Sequence, residues 1–172
     1  VDLYDAMPSL GRKFLMAGKS GLNLTHAEPP EAFAARFHAP RQKLSPILDA
    51  FAPTVIRDWA SGLGVETFVG TSGRVFPTEM KAAPLLRAWL RKLRASGLCI
   101  HVRHKWTGWT PDGGLTFVTP AGEVEAQADV TLLALGGASW PALGSDGSWL
   151  TALQSRGVAV SPLQPSNCGF DM

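Results

Sequence analysis

Residues 130–137 read VTLLALGG, a run that is apolar but for Thr131 and closes on two glycines. A short apolar run without alternation is what a strand buried on both faces of a parallel sheet looks like, and the glycines end it. Just before it, residues 105–128 change character. KWTGWT (105–110), LTFVT (115–119) and VEAQA (124–128) alternate in polarity, separated by the turn sequences PDGG and PAGE. Such turn chemistry between short alternating segments predicts a β-meander. Before the meander lies the strongest helical pattern, over about residues 79–96. Leu85, Leu86, Trp89, Leu90 and Leu93 fall on one face. Thr78 is a candidate N-cap and Gly97 a candidate stop, and Pro84 places the regular part from Ala83 or Pro84 onward. A strand over 98–105 follows directly. Helix, strand, meander, buried strand: this order predicts an α/β fold with a parallel sheet in which a meander serves as crossover.

Toward the front, VDLYD (1–5) reads as a short strand and residues 7–26, rich in Gly, Ser and Asn, as a long structured loop. Three short helices are expected at 29–37, 44–50 and 53–62, the second opened by Ser45-Pro46. A hairpin is expected between 66–69 and 74–76 across Gly70-Thr71-Ser72-Gly73. At the other end, a helix over 147–155 and a strand over 158–161 precede the Pro-rich exit PLQPSNCGFDM. Neither internal repeats nor low-complexity segments stand out.

Composition narrows the function classes. The chain has 172 residues, 45% hydrophobic, with net charge +2. That size suits one domain, or one domain with a sizeable insertion, and that charge gives no reason to expect nucleic acid as a partner. Arg87, Arg91, Lys92 and Arg94 share one helix, as on a solvated face. No apolar stretch reaches the roughly 18–20 residues a bilayer crossing needs, so no membrane partner is expected. Cys99 and Cys168 belong to no CxxC pair and read as small packing residues in a reducing, cytoplasmic compartment. His26, His38, His101 and His104 lack metal-binding spacing. With the last two placed on opposite faces of a strand, all four read as structural or solvent-facing, and no metal is expected. Neither GxSxG nor a Walker A loop is present, and no side chain stands out as acid, base or nucleophile. The six tryptophans are scattered through apolar segments, as packing residues are.

Three strings carry a resemblance: GRKFLMAGKSGLNLTH (11–26), FVGTSGRVFPTEMKAAPLLRAWL (68–90) and LLALGGASWPALGSDG (132–147). They resemble the first domain of two-dinucleotide-binding flavoproteins with the glutathione-reductase-like FAD fold. Within it, they are most similar to the aminoacetone-oxidase-like, NAD(FAD)-utilizing dehydrogenase group. The resemblance implies a Rossmann-like FAD/NAD(P)-binding domain over 1–161 with a helical insertion at 27–77. Residues 162–172 would then begin a linker to a second domain. In that family a strand and GxGxxG turn come first and a second strand ends in an acid that holds the adenosine ribose. Here that second strand would be residues 1–4 and the acid Asp5; a cap on the following turn is the alternative role for Asp5.

By the same resemblance, Arg12 and Lys13 would meet the phosphate–ribose region. Gly18, Ser20, Gly21, Asn23 and Thr25 would lie toward the isoalloxazine, unless the segment is a packed surface loop. This chain reads GKSGLN where many relatives read GGGRCN, so thiol chemistry is not implied. Ala134, Gly136 and Gly137 would form the tight turn beneath the cofactor, an ordinary strand-ending turn being the alternative. Trp106 stands where the family's backbone meets adenine, or is simply core.

The implied parent is an FAD-dependent oxidoreductase with NAD(P)H as candidate electron donor and an unassigned small-molecule substrate. A non-catalytic nucleotide- or protein-binding module is the alternative. The first strand and glycine-rich loop are expected before residue 1, and residues 1–172 alone are expected to bind FAD weakly or not at all. Without that strand, apolar edges at 1–4 and 130–135 are left. The chain is then expected to close the gap, borrow a strand, or form a homodimer edge to edge.

Overall fold

The computed structural model describes residues 1–38 and 41–164. In chain order they form β1 (Asp2–Asp5), α1 (Arg12–Ala17), β2 (Thr25–His26), α2 (Pro30–Ala35), α3 (Arg41–Ala50) and α4 (Pro53–Ser61). There follow β3 (Thr67–Val69), β4 (Arg74–Pro77), α5 (Ala82–Ala95), β5 (Cys99–Val102), β6 (Lys105–Trp109), β7 (Leu115–Thr119) and β8 (Gly122–Ala126). A 3-10 turn (Pro141–Leu143) and α6 (Trp149–Gln154) come last. The chain divides into two units, Gly11–Gly97 and Val1–Leu10 with Leu98–Met172.

The first unit is built on α5. Its apolar stripe buries Leu86 almost fully and Leu85 completely, the latter in a core shared with Leu22, Ala60 and Ala82. Pro84 falls in the first turn of α5, where its missing N–H has no helical acceptor to lose. Lys81, not Thr78, is the N-cap; Thr78 donates instead through its amide and hydroxyl to the Glu66 carbonyl. Gly97 follows the C-cap Ser96 with φ 87°, the left-handed stop its position suggests. Trp89 meets Trp59 edge-on at 5.3 Å and Phe14 at 6.4 Å, so these rings join helices. The hairpin forms as expected, β3 against β4, and β2 adds antiparallel to the other edge of β4.

Two local expectations fail here. Residues 7–26 are not loop throughout, because α1 lies within them. It is bounded by Gly11, left-handed at φ 69°, and Gly18. A Cβ on Gly18 would stand 2.4 Å from that of Ala82, so this glycine lets α1 approach α5. Pro46 does not open α3 but lies inside it, the helix starting at Arg41.

In the second unit, β1 and β5 pair in parallel, with Tyr4 opposite His101 and Asp5 opposite Val102. The meander follows as an antiparallel sheet in the order β6-β7-β8, burying Leu115 and Phe117. A bulge between Trp106 and Gly108 interrupts its first ladder. α6 sits within the expected 147–155.

The run at 130–135 is the main departure: it is not a strand, and Val130 and Leu132 are 87% and 89% exposed. A strand exists only by pairing its backbone N–H and C=O groups, and no described residue pairs with this segment. Among the described residues β1 is likewise paired on one side only. Residues 158–161 also form no strand. Strand β5 stops at Val102 instead of Lys105, because Arg103 turns left-handed at φ 59°. Cys168 and the end of the 162–172 segment lie outside the described residues.

Candidate functional site

The residues expected to hold a cofactor divide between the two units, and each set has its own geometry. Asp5 closes β1 at the carboxyl end of a parallel pair, the end at which open α/β sheets bind ligands. Its Oδ1 accepts the Met7 amide at 2.7 Å, so the carboxylate does cap the following turn. Among the described residues nothing engages Oδ2, which leaves an acceptor for a hydroxyl. The Asp5 carbonyl accepts the His104 amide at 3.0 Å, and the Met7 carbonyl accepts that of Arg103 at 3.0 Å. Trp106 lies in β6 with its indole edge-on to Trp109 at 4.7 Å. Its Nε1 is enclosed without a hydrogen-bond partner among the described residues. Ala134 is exposed in the extended segment before the glycines.

The Gly137 carbonyl is held by a serine from the end of the 132–147 string. Ser145, 4% exposed, donates from Oγ to the Gly137 carbonyl at 3.0 Å. Gly136 has φ 72°, and a Cβ there would stand 2.9 Å from that same Oγ. Gly137 differs. Among the described glycines it alone has neither a left-handed φ nor any atom within 4 Å of where a Cβ would stand. The described residues therefore do not require glycine at this position, and open space lies beside its backbone.

Next to Ser145, Asp146 accepts the Ser148 amide at 3.0 Å and the Lys105 ammonium at 3.1 Å. The bonds from Ser148, then Lys105, hold its carboxyl at about 2 against an ordinary 3.8. A lowered folded-state value stabilises the fold above the unfolded value and ceases to do so as pH falls through the folded one. Asp146 is more than a third exposed, so the contribution is screened to under about 1 kcal/mol. Thermal denaturation is therefore expected to show Asp146→Asn slightly less stable than wild type near neutral pH. The two should converge as pH drops from 3.8 toward about 2.

In the other unit, Arg12 opens α1 with Nε enclosed and without a hydrogen-bond partner among the described residues. Lys13 follows it, exposed. Packing accounts for Gly18 against Ala82 and for Gly21, whose φ is 134° and whose Cβ would stand 2.7 Å from the Met80 methyl. Ser20 is exposed between them. Asn23 ties its segment to β4, because Nδ2 donates to the Thr25 and Val75 carbonyls at 2.9 and 3.2 Å. Its amide hydrogens are therefore engaged by backbone. Thr25 is 7% exposed, and its Oγ1 is enclosed without a partner among the described residues. Three of the expected residues (Arg12, Thr25 and Trp106) thus carry enclosed polar atoms that no described residue pairs.

Other features do not converge on these residues. One surface recess is lined by Gln154, Gly157 and Ser161 among others, a second by Thr107, Thr116 and Glu125, and neither includes an expected site residue. Among the described residues no three His, Cys, Asp or Glu could hold a metal ion together, and no helix is long and apolar enough to cross a membrane. His101 and His104 are not on opposite faces. Arg103 breaks the pleat between them, and both rings contact Tyr4.

Comparison with known proteins gives two findings. Residues 1–169 match the family described as HI0933-like protein Rossmann domain. The chain is also similar to the 3-dehydro-bile acid delta(4,6)-reductase of Clostridium scindens, 28% identical over 176 residues. That alignment covers 96% of this chain and 40% of the reductase, so the chain spans well under half of this relative's length.

Proposed function

Because the chain belongs to the HI0933-like Rossmann-domain family, we propose that it forms FAD-binding structure of a flavin-dependent oxidoreductase. The Rossmann-type α/β fold is consistent with the parallel β1–β5 pair. The observation that carries the cofactor reading is Gly137, a glycine that neither backbone conformation nor packing explains. Asp5 supports it, having one carboxylate oxygen bound to Met7 and the other available at the end of a parallel strand. When bound, FAD supplies the electron-transfer chemistry, and the protein's part is to hold and orient it.

In this reading the Asp5 carboxylate accepts the hydroxyls of the adenosine ribose. The Gly136-Gly137 backbone, locked by Ser145, permits close approach of the cofactor. In the other unit, Arg12 and Thr25 are by themselves the candidates for a positive charge and a hydroxyl, each with an enclosed polar atom that no described residue pairs. The finer placement among aminoacetone-oxidase-like flavoproteins rests on the three strings at 11–26, 68–90 and 132–147. NAD(P)H is the proposed electron donor, and the relative's name supports a reductase more than it does any particular substrate for this chain. Cys99 is exposed and so is not the packing residue expected of it; the two cysteines, which form no CxxC pair, support a reducing, cytoplasmic setting. A homodimer, if formed through sheet edges, would use the unpaired side of β1 and the exposed 130–135 segment.

Paired glycine variants test the proposal in the full-length protein. Gly137→Ala is expected to leave the melting temperature within about 1 °C, since nothing crowds the added methyl, while weakening FAD binding about tenfold or more. Gly136→Ala, strained and crowded by Ser145, is expected to lower thermal stability as well. Unchanged FAD affinity in Gly137→Ala would remove the main support for the reading.

A further inference from the structure

The end of β1 carries a ring stack that ribose binding by Asp5 does not by itself use. Tyr4 lies between His101, at 4.5 Å and 15°, and Phe117, at 4.3 Å and 19°. The parallel register sets Tyr4 opposite His101, and β7 buries Phe117 from the meander side. His104 meets Tyr4 edge-on at 5.7 Å and Phe117 at 6.2 Å. Its Nδ1–H donates to the Val102 carbonyl at 2.8 Å, which fixes the ring against the end of its own strand. Burial first, with Asp2 and Cys99 adding repulsion, raises the Tyr4 pKa and keeps the phenol neutral within the stack.

The backbone beside this stack grips the turn that holds Asp5. His104 donates its amide to the Asp5 carbonyl, and Arg103 donates its own to the Met7 carbonyl. Arg103 does so at φ 59°, a conformation that side chains disfavour and that persists only where the surroundings impose it. Met7 in turn donates to the Asp5 carboxylate. The circuit is closed: ring stack, residues 103–104, Met7, carboxylate.

We infer that His104 is a positioning residue for Asp5, its ring anchoring residues 103–104 so that the Met7 amide holds the carboxylate in one orientation for a ribose diol. This rests on the FAD reading. The geometry accounts for the left-handed backbone at Arg103, since relaxing it would release both amides. Tyr4 and Phe117 supply the surface against which the His104 ring is held, so the stack acts on the site through packing and not through contact with the cofactor.

A double-mutant cycle on the full-length protein, read by FAD titration, tests this. His104→Ala is expected to raise the FAD dissociation constant about tenfold alone but less than about twofold in an Asp5→Asn background, because the two act through one interaction. His104→Phe keeps the edge-on ring but loses the bond to the Val102 carbonyl, so it is expected to restore part of the affinity, and it guards against a fold that fails in the alanine variant. Multiplying effects, or an unchanged dissociation constant in His104→Ala, overturn the inference. If wild type takes up no FAD, it is the cofactor reading that fails. Amide exchange at Met7 then decides the positioning role alone: faster exchange in His104→Ala supports it, and unchanged exchange overturns it.

Discussion

Replacing Asp5 with alanine is expected to weaken FAD binding by the full-length protein about tenfold to a hundredfold. Hydrogen bonds to a charged acceptor contribute about 1.5–3 kcal/mol, and each 1.4 kcal/mol is about a factor of ten in affinity. The carboxylate also caps the turn at Met7, so alanine removes a structural bond along with the ribose acceptor. Asp5→Asn separates the two effects. Asparagine keeps an oxygen for the Met7 amide and loses the charge, so its stability should stay near wild type while affinity still falls. Isothermal titration with FAD, beside a thermal melt of each variant, measures both. Equal FAD affinity in wild type and alanine variant would remove Asp5 from the site and leave it a turn cap.

The largest effect on stability is expected at Leu85. It is completely buried on α5 against Leu22, Ala60 and Ala82, with Phe14, Leu24, Trp59, Leu63 and Val65 packed around the cluster. Truncation to alanine removes buried methyl groups and leaves a cavity, a change that costs about 2–5 kcal/mol. Exposed faces of the same unit behave differently: Ile47, 64% exposed on α3, should tolerate alanine within about 0.5 kcal/mol. Chemical denaturation of the full-length protein, followed by tryptophan fluorescence, to which Trp59 and Trp89 of this unit contribute, compares the two variants. A loss below about 1 kcal/mol at Leu85 would mean that α5 does not organise this unit.

Where a segment's structure depends on its own pattern, the sequence was legible. The α5 stripe, the glycine after it, the hairpin across residues 70–73 and the meander with its turns all follow from residue periodicity and turn chemistry. Where structure depends on a distant partner, it was not. The apolar run at 130–135 says what the segment could bury but not whether anything pairs with it. Helix α1 has only six residues, too few for a periodic signal, and the surrounding glycines read as loop. Those glycines turn out to face Leu86 and Ala82, contacts that arise only when α5 is in place.

The candidate site divides along the same line. The strand-end position of Asp5 and the paired glycines could be read from local sequence. The Ser145 lock on Gly137 and the engagement of the Asn23 amide by Val75 could not, the second because its partner is 52 residues away. The two histidines show how a local rule can mislead. Counting three residues along a pleat puts them on opposite faces, but one left-handed arginine between them brings both rings to Tyr4.

The central claim is that these residues serve a flavin site, and the flavin content of the purified full-length protein tests it most directly. The bound pigment, released by heat and identified by chromatography, is expected to be FAD, stoichiometric with the polypeptide and visible as a flavin absorbance band before release. A colourless protein that takes up no FAD on titration would contradict the account.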